Sequence, residues 1–257
     1  MIDLIKTDFY KITKSWFIRI LFCISCISAS LMLLFAHLIA IGEMDIQNTG
    51  ITSLFADSQI FVLLGCVVIG IFLCNDFDYK IIENAISSGH TRISIVVGKM
   101  ISLIFLISIL TLPYTIATIL AVSIDLEVSV YMPTAYLTIM GIASNGTSIV
   151  NLVILIILTI LMYSAQLSVG ILIMFWIKKP VIVIAVSYVS LLLLGPVLGL
   201  NEMTKGVMEY TPFGIDYTSF ISNLEIMDFA QPIIISISFI AIFTILSILF
   251  FRKCEIK

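Results

Sequence analysis

Six long apolar runs, separated by short polar interruptions, decide what this chain can become. They cover 17–41, 58–74, 93–124, 148–177, 180–200 and 232–251. A helix rises about 1.5 Å per residue, so roughly 20 apolar residues cross about 30 Å of hydrocarbon. The run at 58–74 is barely long enough, and that at 93–124 exceeds what a crossing needs. Of the 257 residues, 61% are hydrophobic and 11% are charged, and the mean hydropathy is +1.21. A soluble domain carries about 25% charged residues. A soluble fold cannot place this much apolar surface inside, so lipid must solvate most of it. The expected fold is an all-α membrane protein with six transmembrane helices in one domain, 1–257. A membrane β-barrel would show alternating segments of about ten residues, not continuous runs. The first run is too long for a signal-peptide core and lacks a clear small-residue cleavage site, so it reads as a retained span.

Charge orients these spans. Twelve of the thirteen Lys and Arg residues fall on one side of the alternating topology; only Lys205 falls on the other. Ten of the sixteen acidic residues lie on that other side. The positive-inside rule then places both termini in the cytoplasm and requires an even number of spans.

Residues 1–16 precede the first span. Ile5, Phe9, Ile12 and Trp16 recur at helical spacing, with Lys6, Lys11 and Lys14 off the stripe. That pattern predicts an interfacial helix facing anionic lipid, with Trp16 at headgroup depth. Residues 75–92 form the longest polar interruption on the basic side. Asp76 or Asp78 is placed to cap a helix start. Ile81, Ile82, Ala85 and Ile86 give one apolar stripe, and Ser87-Ser88-Gly89 ends it. Such a helix either rests on lipid or docks into another protein.

Other features are local. Gly65 and Gly70 let neighbours approach the second span, and Pro113 should kink the third. Gln166 is the most polar residue inside its span, with Tyr163 and Ser168 nearby; these are candidates for lining a pathway or for joining helices. Asn145-Gly146-Thr147 reads as a turn. Residues 201–231, with Tyr210, Pro212, Phe213 and Gly214, read as a re-entrant or interfacial outer segment. Cys23-x-x-Cys26 lies inside a span without a second pair, so no metal site is expected.

Several chemistries lack their residues. Gly98-Lys99 is followed by Met100 and has no Gly at 93, so it is not a phosphate-binding loop. No HExxH or GxSxG motif occurs, and no span carries an acidic residue at mid-depth. The chain is not expected to be an enzyme, and energy for any uphill movement would come from another chain.

The order of parts resembles the permease subunit of type-2 ABC exporters over nearly the whole chain. The resemblance rests on the basic N-terminal helix (LIKTDFYKITKSWF), the six spans, and an aromatic-Pro outer segment. It rests most on Asp76-Phe77-Asp78-Tyr79, the helix at Ile81 to Ile86, Arg92 and Gly98-Lys99. Lys80-Ile81 and Thr91 stand where the commoner form has Gly-Thr and Pro. Glu209-Tyr210-Thr211-Pro212-Phe213 is similar to small permeases of bacteriocin-immunity and peptide-toxin exporters. The resemblance implies that 75–92 is a coupling helix inserted into a separate ATPase. Ile81, Ile82 and Ile86 would then be buried contacts, with Phe77 and Tyr79 beside them and Asp76, Glu83 and Arg92 as rim charges. It also implies two ATPase copies carrying ATP and Mg2+, a second identical or homologous permease, and no cofactor on this chain. The cargo would be an amphipathic peptide, such as a cytolytic toxin or lantibiotic, and the location a bacterial cytoplasmic membrane. No nucleic acid is implied. The alternatives are a small channel, sensor or secondary carrier, or an ABC permease for drug or sodium efflux.

Overall fold

The computed structural model describes residues 2–44, 57–132, 134–144, 149–199, 206, 208, 210–214 and 226–253. Every regular element among them is helical. Five helices are long and apolar enough to cross a membrane, the architecture of a multi-pass helical membrane protein.

Helix α1 (Ile2–Lys14) leads through Ser15 into α2 (Trp16–Ala40). The buried residues of α2, Ile18, Leu21, Ser25, Ser28, Met32, Ala36 and Ile39, recur at three- and four-residue spacing on one face. Its other face leaves Ile20, Ile24, Ile27 and Leu34 uncovered, as a lipid-facing helix does. The second crossing is compound. Helix α3 (Asp57–Val67) widens into a π-helical stretch (Val68–Cys74) and ends in the short α4 (Asn75–Asp78). Helix α5 (Ile81–Ser87) follows, then α6 (Arg92–Ser123), which stays helical through Pro113. Helices α7 (Ala135–Ser144), α8 (Ile149–Ile177), α9 (Pro180–Gly199) and α10 (Ile226–Lys253) complete the bundle. The side chains of α9 are described only as far as Leu194, and that stretch is shorter than the five crossing helices.

Helix α8 holds the centre, touching α3, α6, α7, α9 and α10. Its residues from Met162 to Ile171 are buried on every side. A helix apolar all round belongs in a core, and α8 fits that rule.

Residues 125–147, expected as a loop, contain α7 instead. Tyr136, Leu137, Ile139 and Met140 on α7 are fully covered, so this helix is packed inside the bundle. Asn145-Gly146-Thr147 and most of 201–231 lie outside the described residues. The described part of that outer segment is tied inward: Phe213 meets Phe239 edge-on at 6.2 Å.

Gly70 sits in the π stretch where α9 begins. A Cβ there would lie 2.2 Å from Ile184 Cγ1 and 2.9 Å from the Pro180 carbonyl oxygen. A backbone oxygen cannot swing aside, so Gly70→Val is expected to overpack the contact by about 1–3 kcal/mol. Gly98 is the control, because nothing lies within 4 Å of a Cβ there. Gly98→Ala should leave the melting temperature in detergent unchanged or raise it slightly, while Gly70→Val lowers it.

Candidate functional site

The residues that the sequence groups in 75–92 gather where α1, the end of the second crossing and the start of α6 meet. Lys99, a quarter of the way along an apolar helix, is almost wholly buried and needs a partner. It finds two. Its Nζ lies 2.9 Å from both carboxylate oxygens of Asp8 and 2.5 Å from Asp76 Oδ2. The other oxygen of Asp76 accepts from Lys11, and Ser102 Oγ donates to Asp8 Oδ2 at 2.9 Å. Lys11 also donates to the Phe72 carbonyl at 3.2 Å and stands 4.5 Å from the Phe72 ring centre. Two carboxylates and two ammonium groups thus form a charge-balanced cluster that stitches three elements together. Asp76 is 1% exposed and Lys99 is 6% exposed.

This placement corrects two expectations. Asp76 is neither a helix cap nor a rim charge; it is turned into the bundle because two lysines neutralise it there. Helix α5 is instead entered through Lys80, whose φ of 55° lies in the left-handed region. The expected C-terminal end is present. Gly89 has φ +91°, Gly89 N–H donates to the Ile86 carbonyl, and His90 N–H donates to that of Ala85.

The stripe of α5 is divided. Ile82 is 2% exposed and Ala85 is buried, both covering a cavity of about 40 Å³ that Ile81 also borders, beside Leu4, Thr7, Asp8, Ile95 and Lys99. Ile82 therefore belongs to this chain's own core, a correction to its expected place in a partner. Ile81 and Tyr79 are exposed, Tyr79 at 70%. Glu83 and Ile86 are half-buried. Phe77 is half-buried and meets the rings of Phe175 and Phe251 edge-on at 5.7 and 6.4 Å. Arg92 donates to the carbonyls of Phe251 and Arg252 at 2.6 and 3.0 Å and lies over the Phe251 ring. It closes the C-terminal end of α10, where orphan carbonyls favour a cation. Phe77 and Arg92 are thus used within the chain.

Gln166, Tyr163 and Ser168 are also packed inside. Gln166 Nε2 donates to the Pro212 carbonyl at 2.8 Å, tying α8 to a turn of the outer segment. Ser168 Oγ donates to the Ala165 carbonyl at 2.6 Å. Tyr163 O–H donates to Asp57 Oδ2 at 2.9 Å. Asp57, read from the sequence as a loop residue, is fully buried.

Sequence reasoning missed Asp8, Lys99 and Ser102 as a unit. The available signal was Lys99 itself, a lone charge about two turns inside a long apolar run. Asp8 and Lys11 on successive turns of α1 supplied the complementary face. No protein-family model matches the chain, and no curated protein matches its sequence.

Proposed function

We propose that this chain is the permease subunit of an ATP-driven ABC exporter, with ATP hydrolysis on a separate subunit bound at the α4–α5 corner. One observation carries the reading: an exposed apolar and polar knob stands on a rigidly clamped base. Tyr79 and Ile81 are uncovered at that corner, with Lys80, Asn84, Ser87 and Ser88 exposed around them. A concavity of about 430 Å³ lined by Gly89, His90, Thr91, Ile93 and Ser94 adjoins the end of α5. Beneath the knob, the ionic cluster and the Phe77–Phe175–Phe251 rings join it to α1, α6, α8 and α10. A push on the corner is then passed to helices that cross the bilayer, because closely packed elements move as bodies.

In this reading the basic end faces the cytoplasm, α9 also crosses as the fifth of six spans, and a second permease completes the pathway. The cargo is an amphipathic peptide. The contacts offered to the ATPase are Tyr79 and Ile81, supported by the half-buried Glu83 and Ile86.

The test is co-purification from native membranes with the ATPase identified by mass spectrometry. Tyr79→Asp combined with Ile81→Asp is expected to reduce ATPase recovery at least about tenfold, since buried aromatic and aliphatic anchors dominate such interfaces. The variant should keep the wild-type melting temperature, because both side chains are exposed. Undiminished ATPase recovery, or solute uptake by the purified chain alone without nucleotide, sinks the reading.

A further inference from the structure

We propose that Asp57 and the hydroxyl groups around it bind an alkali-metal cation, at the end of the bundle opposite the ionic corner. This goes beyond the permease reading and does not depend on it.

The carboxyl is fully buried at the first residue of α3. Its two oxygens are treated unequally. Oδ2 accepts from the Tyr136 backbone N–H and the Tyr163 hydroxyl, each at 2.9 Å. Tyr136 is the second residue of α7, so this oxygen also meets the positive end of a ten-residue helix. Oδ1 accepts nothing, although it is buried. No Lys, Arg or His among the described residues forms an ion pair with Asp57.

The surroundings are unsatisfied in the same sense. The Thr134 hydroxyl lies within hydrogen-bonding reach of the carboxyl and has no other partner. Thr138, one turn further along α7, is buried and lacks even the common back-bond to its own helix. The Tyr131 hydroxyl is likewise buried without a partner, while that of Tyr136 lies within reach of Thr111. Phe61, Tyr114, Tyr136 and Tyr163 wall the region, with Phe61 4.8, 5.9 and 4.7 Å from the three tyrosine rings. Buried polar atoms without partners are uncommon, and Asp57 Oδ1, Thr138 and Tyr131 are three of them.

The donor chemistry selects the occupant. One carboxylate oxygen and neutral hydroxyls make a hard, all-oxygen set carrying a single negative charge. That charge balances a monovalent cation, and the set lacks the nitrogen or sulfur that favours zinc or copper. Ser129 lines an open cavity of about 620 Å³ bordered in part by Asp125 and Glu127. Two carboxylates there raise the local concentration of cations next to the site.

The experiment melts the purified full-length chain in sodium, potassium or choline chloride at equal ionic strength and fixed pH. The expected result is a melting temperature that climbs with one alkali cation and saturates, with no such response to choline. Asp57→Asn should abolish the response, and Thr134→Val should move its midpoint to about tenfold higher concentration. Should Asp57→Asn fail to fold, equilibrium binding of radioactive sodium and of rubidium, a potassium stand-in, to wild type and Thr134→Val gives the same comparison. Identical melting in all three salts overturns the proposal and leaves a proton or a water at Oδ1. An alkali response retained in Asp57→Asn also overturns it, by placing the cation elsewhere.

Discussion

Lys99→Met is expected to cost about 3–5 kcal/mol of stability, the usual cost of removing one partner from a buried ion pair. Among the described residues, its Nζ is the one ion-pair partner shared by Asp8 and Asp76. Without it Asp76 keeps Lys11, but Asp8 keeps only the Ser102 hydroxyl. An almost buried carboxylate is then left without a cation. Lys11→Met should cost far less, about 1 kcal/mol, because Lys11 is one third exposed and water screens its charge. The double variant Asp8→Asn/Lys99→Met removes one charge of each sign and leaves the Lys11–Asp76 pair intact. It should recover much of the single-variant loss, with a coupling of about 1–3 kcal/mol. Thermal melting in detergent reads all three. Equal losses for Lys99→Met and Lys11→Met, or strict additivity in the double variant, would contradict the shared cluster.

How far the sequence spoke can be judged at particular residues. The apolar runs located the crossing helices because length and hydropathy alone decide whether a segment spans a bilayer. Helical spacing located α1 and α5, and Gly89 marked where α5 stops. What spacing does not carry is the identity of the neighbour. Ile81 and Ile82 are adjacent in one stripe and both border the cavity toward α1 and α6, yet Ile82 is 2% exposed and Ile81 40%. Asp76 fits a cap by local pattern, but two lysines 65 and 23 residues away hold it inside. Asp57 and α7 were hidden for a related reason. A ten-residue apolar helix is too short to read as a span, and composition cannot tell a packed helix from a loop at the membrane edge. The ionic corner and the Asp57 pocket are both long-range assemblies, so single-segment patterns expose their members without their partnership.

The sharpest contrast lies one residue apart on α5. Ile82→Asp is expected to abolish folding or lower the melting temperature severely. The side chain is 2% exposed, and the space beneath it, about 40 Å³, already contains Asp8. A second carboxylate there meets a like charge and has no free cation, because Lys99 is engaged by both Asp8 and Asp76. Removing bulk alone, in Ile82→Ala, should cost about 2–5 kcal/mol through the cavity it opens. Ile81→Asp, on the exposed side of the same turn, should cost less than about 1 kcal/mol. Size-exclusion profiles and melting curves separate stability from association, and pull-down of the ATPase is then read only on variants that stay folded. If Ile81→Asp melts like wild type and loses the ATPase, the outward face of α5 is the docking surface. If Ile82→Asp stays folded and Ile81→Asp does not, the helix is rotated by about a quarter turn from the orientation described, and the division of its stripe between core and partner is reversed.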